Sequence, residues 1–381
     1  MSAAPKLLYL VTEDWYFWSH RLPMAQAARA AGFDVGVAAR VTDHGERIRA
    51  AGFALHPLRW RRRRIGPLAS LAAVAEIAAL YRRERPTLVH HVALKAAVLG
   101  SMAALAAGVP AVINAVTGVG FVASSPSWRA RLLRRPLDFA LTHLLERRNS
   151  HVIVQNEDDR RLLLALRPGA AERIAVIRGS GIDTAYFTPV PESPPPIVAG
   201  FSGRLLADKG IATLVEAQQR LWRSDAPLHL MIAGGPDPEN PSSIDAPTLA
   251  RWRELPGITW LGAIEDVREL WRRAHIAVLP SRREGLPKSL LEAAAMGRPI
   301  VATDVPGCRE IARAGVNALL VPPDDAAALA AALAALARDA EQRRRFGEAS
   351  RRLVESDLAQ DAVGTATVAL YRRLLAATGA V

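Results

Sequence analysis

The 381-residue sequence predicts an α/β protein made of two doubly wound parallel-sheet domains in tandem. Short apolar runs alternate with helical periods along the first half, and the same alternation repeats along the second. Between the halves, Thr188-Pro-Val-Pro-Glu-Ser-Pro-Pro-Pro196 places five prolines in nine residues, a stiff connector rather than an element. Sheets of this kind bind ligands at the carboxyl ends of their strands, so the cleft between two such domains is the expected site.

In order, Leu7–Val11 reads as a strand, and Arg21–Ala31 as a helix stopped by Gly32. Asp34–Ala39 is strand-like, Gly45–Ala51 helical and Leu55–Leu58 a short strand. Pro67–Arg83 has an amphipathic helical period, Thr87–His91 is a buried strand, Lys95–Ala107 a helix and Ala111–Asn114 a strand. A helix over about Arg129–Arg148 leads to a strand at His151–Gln155. After the prolines come strand Ile197–Gly203, helix Ile211–Arg223 and strand Leu228–Ala233. The loop Gly234–Ser243 and a helix precede Ile258–Leu261, then Val267–Arg273, Ile276–Leu279, a helix after Pro287 and strand Ile300–Ala302. Alanine-rich helices start near Asp324, and a last helix covers about Asp361–Ala377. The expected domains are 1–188 and 189–360, with 361–381 a C-terminal helix that packs back toward the first domain.

Composition narrows the functional classes. Half of the residues are hydrophobic, which is enough for two cores and argues against a disordered chain. The single cysteine, Cys308, excludes an intramolecular disulfide and a cysteine-based metal site, and fits a reducing cytoplasm. No secretion signal is expected at the N-terminus. Residues 96–128 carry no charged side chain, but Gly100, Gly108, Pro110, Gly118 and Gly120 interrupt them, so no bilayer-crossing helix is expected there. The formal charge is +12; residues 1–190 hold 26 Lys/Arg and 14 Asp/Glu, and residues 191–381 hold 23 of each. The whole excess therefore lies in the first half, much of it in Arg59 with Arg61–Arg64 beside Trp60, and in Arg129, Arg131, Arg134 and Arg135 beside Trp128. Cations next to aromatics suit an anionic membrane surface, and could also suit nucleic acid.

Two segments carry chemistry. In Ser281-Arg-Arg-Glu-Gly-Leu-Pro-Lys-Ser-Leu-Leu-Glu292, Glu284 and Glu292 flank a turn that opens into a helix. Pro287 suits the first helical position, and the N–H groups around Gly285, Leu286 and Lys288 form an anion site. Carboxylates that seek hydroxyls, beside N–H groups that seek phosphate, fit a sugar on a phosphate. In Phe201-Ser-Gly-Arg-Leu-Leu-Ala-Asp-Lys-Gly210, a strand ends at Gly203, and Arg204 and Lys209 can both reach one diphosphate.

Together these segments resemble the donor site of retaining glycosyltransferases with the GT-B fold, family 4, in which two Rossmann-like domains face an interdomain cleft. Ala233-Gly-Gly-Pro-Asp237, Gly181-Ile-Asp183 with Phe187 and Pro189, Pro280-Ser281 and Ala295-Met-Gly-Arg-Pro-Ile300 also fit that family, and the likeness is most specific from 197 to 311. It implies that Arg204 and Lys209, after Gly203, hold and stabilise the departing diphosphate. Glu284 would bind the transferred sugar and Glu292 the ribose. Gly285, Leu286 and Pro287 would line the sugar and phosphate region, and Gly262 and Ile264 would meet the base. No metal or other cofactor is implied; the nucleotide sugar, a UDP-sugar, is a substrate.

The first half should receive the acceptor. Val89-His-His-Val-Ala-Leu-Lys95 departs from the family's His-x-His pattern by placing Val92 at the second histidine, which leaves His91 and Lys95 as candidates. Thr12-Glu-Asp-Trp-Tyr-Phe-Trp-Ser-His-Arg21 is similar to the Phe-x-x-His-Arg loop of polysaccharide and lipid-linked oligosaccharide transferases, which nominates His20 near the sugar and phosphates. Asn114-Ala-Val-Thr-Gly-Val-Gly120, with Thr117 and Gly118, resembles the same subgroup. That subgroup acts on polyprenyl-diphosphate saccharides. The expected partners are therefore a lipid-linked acceptor and, through the basic first domain, the anionic inner face of the cytoplasmic membrane. No nucleic acid is expected. A GT-B epimerase, a nucleic-acid-binding protein and a non-catalytic sugar-nucleotide sensor are the competing readings. The second leaves Arg204, Lys209, Glu284 and Glu292 without a role.

Overall fold

The computed structural model describes residues 4–60, 66–116, 142–143, 147–224, 228–238 and 240–380. Two compact units emerge, Met1–Ser180 with Asp361–Val381, and Gly181–Gln360.

The first unit holds a seven-stranded parallel sheet: β1 (Lys6–Glu13), β2 (Asp34–Arg40), β3 (Ala54–Pro57), β4 (Leu88–Val92), β5 (Ala111–Ala115), β6 (Ser150–Val154) and β7 (Ile174–Val176). Its order is β3-β2-β1-β4-β5-β6-β7, so the direction of winding reverses between β1 and β4. Alternation along β1 sends Leu7, Tyr9 and Val11 into one apolar cluster and Leu8 and Leu10 into another. Both sheet faces are therefore covered, and this is why the strands read as unbroken apolar runs. The helix Gln360–Thr378 completes the first of these clusters with Val363, Tyr371, Leu374 and Leu375. Its Tyr371 hydroxyl lies 2.8 Å from the Tyr9 hydroxyl and 2.5 Å from His90 Nδ1.

Three features depart from the sequence expectation. Asp14–His20 is a helix rather than a loop, because Phe17 is buried beneath it and Asp14 binds the Trp15 amide at its start. Glu157–Leu166 is a helix capped by the Asn156 side chain, which accepts from the Asp159 amide at 2.7 Å. Strand β7 is only three residues long, below the length at which periodicity is visible.

The second unit holds a six-stranded parallel sheet: β8 (Val198–Ser202), β9 (His229–Ala233), β10 (Ile258–Gly262), β11 (Ile276–Leu279), β12 (Ile300–Thr303) and β13 (Ala318–Val321). Its order is β10-β9-β8-β11-β12-β13, with the reversal between β8 and β11. The alanine-rich helices Ala326–Arg338 and Ala340–Glu355 are capped by Asp325 and Asp339, each accepting a backbone amide at 2.8 Å.

The proline-rich segment lies within the second unit instead of dividing the two. Ile182 and Phe187 are buried in that unit's core. Buried Arg298 donates to the Val190 carbonyl at 3.1 Å, and buried Arg343 grips the Glu192 carboxylate through two bonds of 2.9 and 3.0 Å. Arg351 adds bonds to the Thr184 and Phe187 carbonyls. Prolines that cannot bond to each other are held by arginines from the helices beside them.

Among the described residues, no helix is long and apolar enough to cross a membrane. Arg61–Arg64 and the cluster from Trp128 to Arg135 lie outside the described residues, as does most of the helix expected over Arg129–Arg148.

Candidate donor site of the second unit

The residues nominated for donor binding stand at the carboxyl ends of β8, β10 and β11, around the reversal of the second sheet. A strand-order reversal leaves a crevice, because the helices following the two central strands pass to opposite faces. Arg204 follows β8. Leu205 and Leu206 are buried at 1 % and 3 % exposure, which anchors the backbone between the two cations. A single 3₁₀ turn, Ala207–Lys209, then brings up Lys209.

On the other side of the reversal, Glu284 follows β11. Its Oε1 lies 2.5 Å from Lys209 Nζ and accepts from Ser281 Oγ at 2.6 Å. Ser281 is fully buried, and its carbonyl accepts from the Thr303 hydroxyl at the end of β12. Asp208 stitches the two loops together: its carbonyl accepts from the Arg282 amide and its carboxylate from Arg283 Nη2, both at 2.9 Å. The cation turn and the glutamate loop are thus one structure.

Close approach at three glycines makes this possible. A Cβ on Gly210 would stand 2.0 Å from the Pro280 carbonyl oxygen, and one on Gly234 would stand 1.9 Å from that of Gly203. Gly307 passes so near Glu284 that an added Cβ would lie 2.4 Å from its carbonyl oxygen. The neighbouring strand ends are in line too: the Gly203 amide binds the Ala233 carbonyl at 3.0 Å, and the Gly234 amide binds the Gly262 carbonyl at 2.7 Å. Gly262 takes a φ of +71° with open space where a Cβ would go, and Ile264 is partly buried against the core.

Pro287 differs from expectation. It is the cap, with φ −74° and ψ 113°, and the helix is Lys288–Ala295. Its carbonyl accepts from the Leu290 and Leu291 amides, so the amides with no acceptor in a preceding helical turn are those of Lys288 and Ser289. Gly285 and Leu286 precede the helix as part of the loop. Glu292 lies inside the helix at 7 % exposure. Burial raises its carboxyl above the ordinary range, and Lys288, 3.6 Å away, acts against that.

Arg204 Nη1 lies 2.5 Å from Asp237 Oδ2. Asp237 ends the glycine loop after β9, the segment Ala233–Asp237 that resembles the family, and nothing in its spacing marks a charged partner. The loop is in fact strapped to the Arg204 segment. The Leu205 amide binds the Gly235 carbonyl at 2.9 Å, Ala207 binds Ser242 at 2.7 Å, and Ile244 binds Leu205 at 2.9 Å.

The first unit places its candidates differently. Histidine 91 is a core residue, not a surface ligand: it is fully buried, with Nδ1 2.8 Å from Asn114 Oδ1 and Nε2 3.0 Å from the Tyr81 hydroxyl. Burial pushes its pKa down to about 4, while Asn114 acts against that. Its place on a strand buried on both faces decides the matter. His90 is equally buried, and burial, with Arg21 and His91 nearby, holds it well below the usual histidine range. Lys95 stands in the first turn of the helix Leu94–Ala107, with its ammonium 5.7 Å from the Trp60 ring centre. Partial burial lowers its pKa, and Glu13 acts against that.

His20 ends the helix Asp14–His20; its ring stacks on Tyr16 at 4.4 Å, and Nδ1 meets Ser19 Oγ at 2.5 Å. That helix is fixed by Asp14, a fully buried carboxylate. It accepts from the amides of Trp15, Thr42 and His44 and from the Thr42 hydroxyl, all between 2.8 and 2.9 Å. Burial would raise the Asp14 pKa, but these bonds hold it below the ordinary value. Thr117 and Gly118 lie outside the described residues.

A cavity of about 760 Å³ elsewhere in the second unit is bordered by Pro189, Glu192, Arg298, Arg343 and Arg351. Gly297 and Arg298 lead into β12, so it lies at the amino end of the strand, and its inner arginines are spent on chain carbonyls and Glu192. It is not the site that the loops above define.

Two parallel sheets, each with a reversal, and paired cations and carboxylates at the second reversal define a glycosyltransferase of the GT-B fold. Residues 196–339 match the family described as glycosyl transferases group 1, and residues 6–156 match the family described as glycosyl transferase 4-like. The chain belongs to the family 4 glycosyltransferases. It is 22 % identical to the capsular polysaccharide biosynthesis glycosyltransferase CapM of Staphylococcus aureus, over 82 % of this chain and 84 % of that one. It is 28 % identical to the N,N'-diacetylbacillosaminyl-diphospho-undecaprenol alpha-1,3-N-acetylgalactosaminyltransferase of Campylobacter jejuni, over 76 % and 78 %. The fold is shared with Anabaena HepE, solved in complex with UDP-glucose, at a TM-score of 0.77 and 16 % identity, covering 97 % of this chain and 99 % of that one.

Proposed function

We propose that this glycosyltransferase moves a sugar from a UDP-sugar to a lipid-linked saccharide, with retention of anomeric configuration and without a metal ion. The observation that carries the proposal is the placement of Lys209 beside Glu284, with Arg204 on the same loop, across the strand-order reversal. Cations there suit a diphosphate, and a carboxylate beside them suits sugar hydroxyls. UDP as the nucleotide draws support from the ligand bound to HepE.

In this reading Arg204 and Lys209 hold the diphosphate as it departs, and such preorganised charge is the largest catalytic contribution. Glu284 orients the transferred sugar and Glu292 the ribose. Gly262 and Ile264 border the base, and the Lys288 and Ser289 amides face phosphate charge. The bond from the anomeric carbon to the phosphate oxygen breaks, the acceptor oxygen bonds to that carbon, and its proton passes to the leaving diphosphate. In the same reading His20 is the first unit's catalytic candidate, nominated for the transferred sugar and phosphates, and Lys95 belongs to acceptor recognition.

The lipid-linked acceptor draws support from the diphospho-undecaprenol in the name of the Campylobacter jejuni relative. The first unit supplies a second support. On the helix Pro67–Glu84, Leu68 and Leu71 are 83 % and 65 % exposed, and the basic stretch Arg59–Arg64 lies just before it in sequence. Exposed leucines that follow a run of arginines in sequence suit an anionic bilayer surface, and this supports a peripheral position on the inner face of the cytoplasmic membrane.

A thermal-shift screen of UDP- and GDP-sugars against the wild type and Arg204→Ala tests the donor assignment. UDP-sugars should stabilise the wild type by mass action and stabilise the variant far less. No shift with any nucleotide sugar would sink it.

A further inference from the structure

The Arg204–Asp237 pair adds something that the donor reading does not require. Two cations and two carboxylates, Arg204 with Asp237 and Lys209 with Glu284, leave these four groups with no net charge. A diphosphate brings at least two negative charges, and its oxygens seek the guanidinium nitrogen that Asp237 holds. Nη1 carries two N–H groups, but a carboxylate and a phosphate gathered on one guanidinium repel each other, so each weakens the other's hold. Asp237 has little freedom to withdraw along the backbone. Its amide donates to Ser243 Oγ at 3.0 Å, its carbonyl accepts from the Asn240 amide at 2.8 Å, and Leu206 pairs with Ser243 across the strap. The Arg204 side chain is 40 % exposed and so is the partner able to move.

We propose that Asp237 competes with the donor diphosphate for Arg204, and thereby sets how readily the nucleoside diphosphate leaves after transfer. The carboxylate takes back the guanidinium as the product departs, which lowers the cost of release. Product release limits many transferring enzymes, so a built-in competitor trades affinity for turnover. The inference rests on the donor-site reading above.

The test is UDP binding by calorimetry and stopped-flow release, on wild type, Asp237→Asn, Asp237→Ser, Arg204→Ala and Arg204→Ala with Asp237→Asn. Both Asp237 variants should bind UDP about two- to fivefold tighter, as expected for losing a partly exposed ion pair, and release it correspondingly slower. The same Asp237→Asn change should have no effect once Arg204 is alanine, a dependence that loop loosening would not produce. Weaker or unchanged UDP binding in both Asp237 variants overturns the proposal, since it would make Asp237 a support for Arg204 or a bystander. If Arg204→Ala leaves UDP binding at the wild-type level, the donor reading itself fails and the proposal with it. If Arg204→Ala weakens binding while the Asp237 variants do not tighten it, only the proposal fails.

Discussion

Lys209 and Glu284 come from loops 75 residues apart in sequence, yet their charged atoms lie 2.5 Å apart where the second sheet reverses its strand order. Lys209→Ala should lower the transfer rate by about 10²–10³, the range for losing one preorganised charge donor. Far-UV circular dichroism should be unchanged, because the lysine anchors no core. Glu284→Gln keeps the size and loses the charge, and should slow transfer more than it weakens UDP binding. A transfer rate within threefold of wild type for Lys209→Ala would remove it from the donor site.

Gly210 and Gly262 both have positive φ, at +68° and +71°, but only Gly210 faces backbone at 2.0 Å. Gly262→Ala should cost about 1–2 kcal/mol, from left-handed strain alone. Gly210→Ala should cost clearly more and also disturb UDP binding, because Pro280 must move and Ser281 and Glu284 follow it. Urea melts of the two variants decide this, and equal losses would contradict it.

Acid should weaken the first unit through His91. Its pKa is about 4 in the fold against 6.5 for an ordinary histidine. The unfolded chain therefore binds a proton first as pH falls below 6.5, and the folded chain binds it only near 4. Stability is full above 6.5 and declines across that window by roughly 3 kcal/mol. His90 acts in the same direction. Urea melts at pH 7, 6 and 5 should show the decline, and His91→Gln should flatten it. A slope that His91→Gln leaves untouched would assign the acid sensitivity elsewhere.

Leu68 and Leu71 should matter only at a membrane. Leu68→Ser with Leu71→Ser should reduce flotation with anionic vesicles several-fold while leaving UDP binding intact. Wild type that partitions equally to neutral and anionic vesicles would count against the basic surface as the docking face.

Most of the architecture was legible because parallel strands buried on both faces leave unbroken apolar runs, as in Leu7–Val11 and Ile276–Leu279. The three-residue strand Ile174–Val176 leaves too short a pattern. Arg204, Lys209 and Glu284 were legible because each adjoins a glycine in a loop after a strand, and Glu292 because it stands eight residues after Glu284. Their pairing was not, since neither Asp208 nor Asp237 is marked by spacing. Periodicity could have placed His91: strand neighbours alternate faces, and both faces of β4 are buried, so a histidine there meets core whichever way it turns. The proline segment misled because its composition reports stiffness, whereas its allegiance is decided by Arg298 and Arg343 far along the chain.

The helix Gln360–Thr378 has a consequence for synthesis. The core that begins with Leu7 and Tyr9 receives Tyr371, Leu374 and Leu375 only after the whole of Gly181–Gln360 has left the ribosome. The unit made first is therefore the last to close. Until then Tyr9 and His90 lack their Tyr371 partner, and the apolar face of the first sheet stands open while its neighbour already folds.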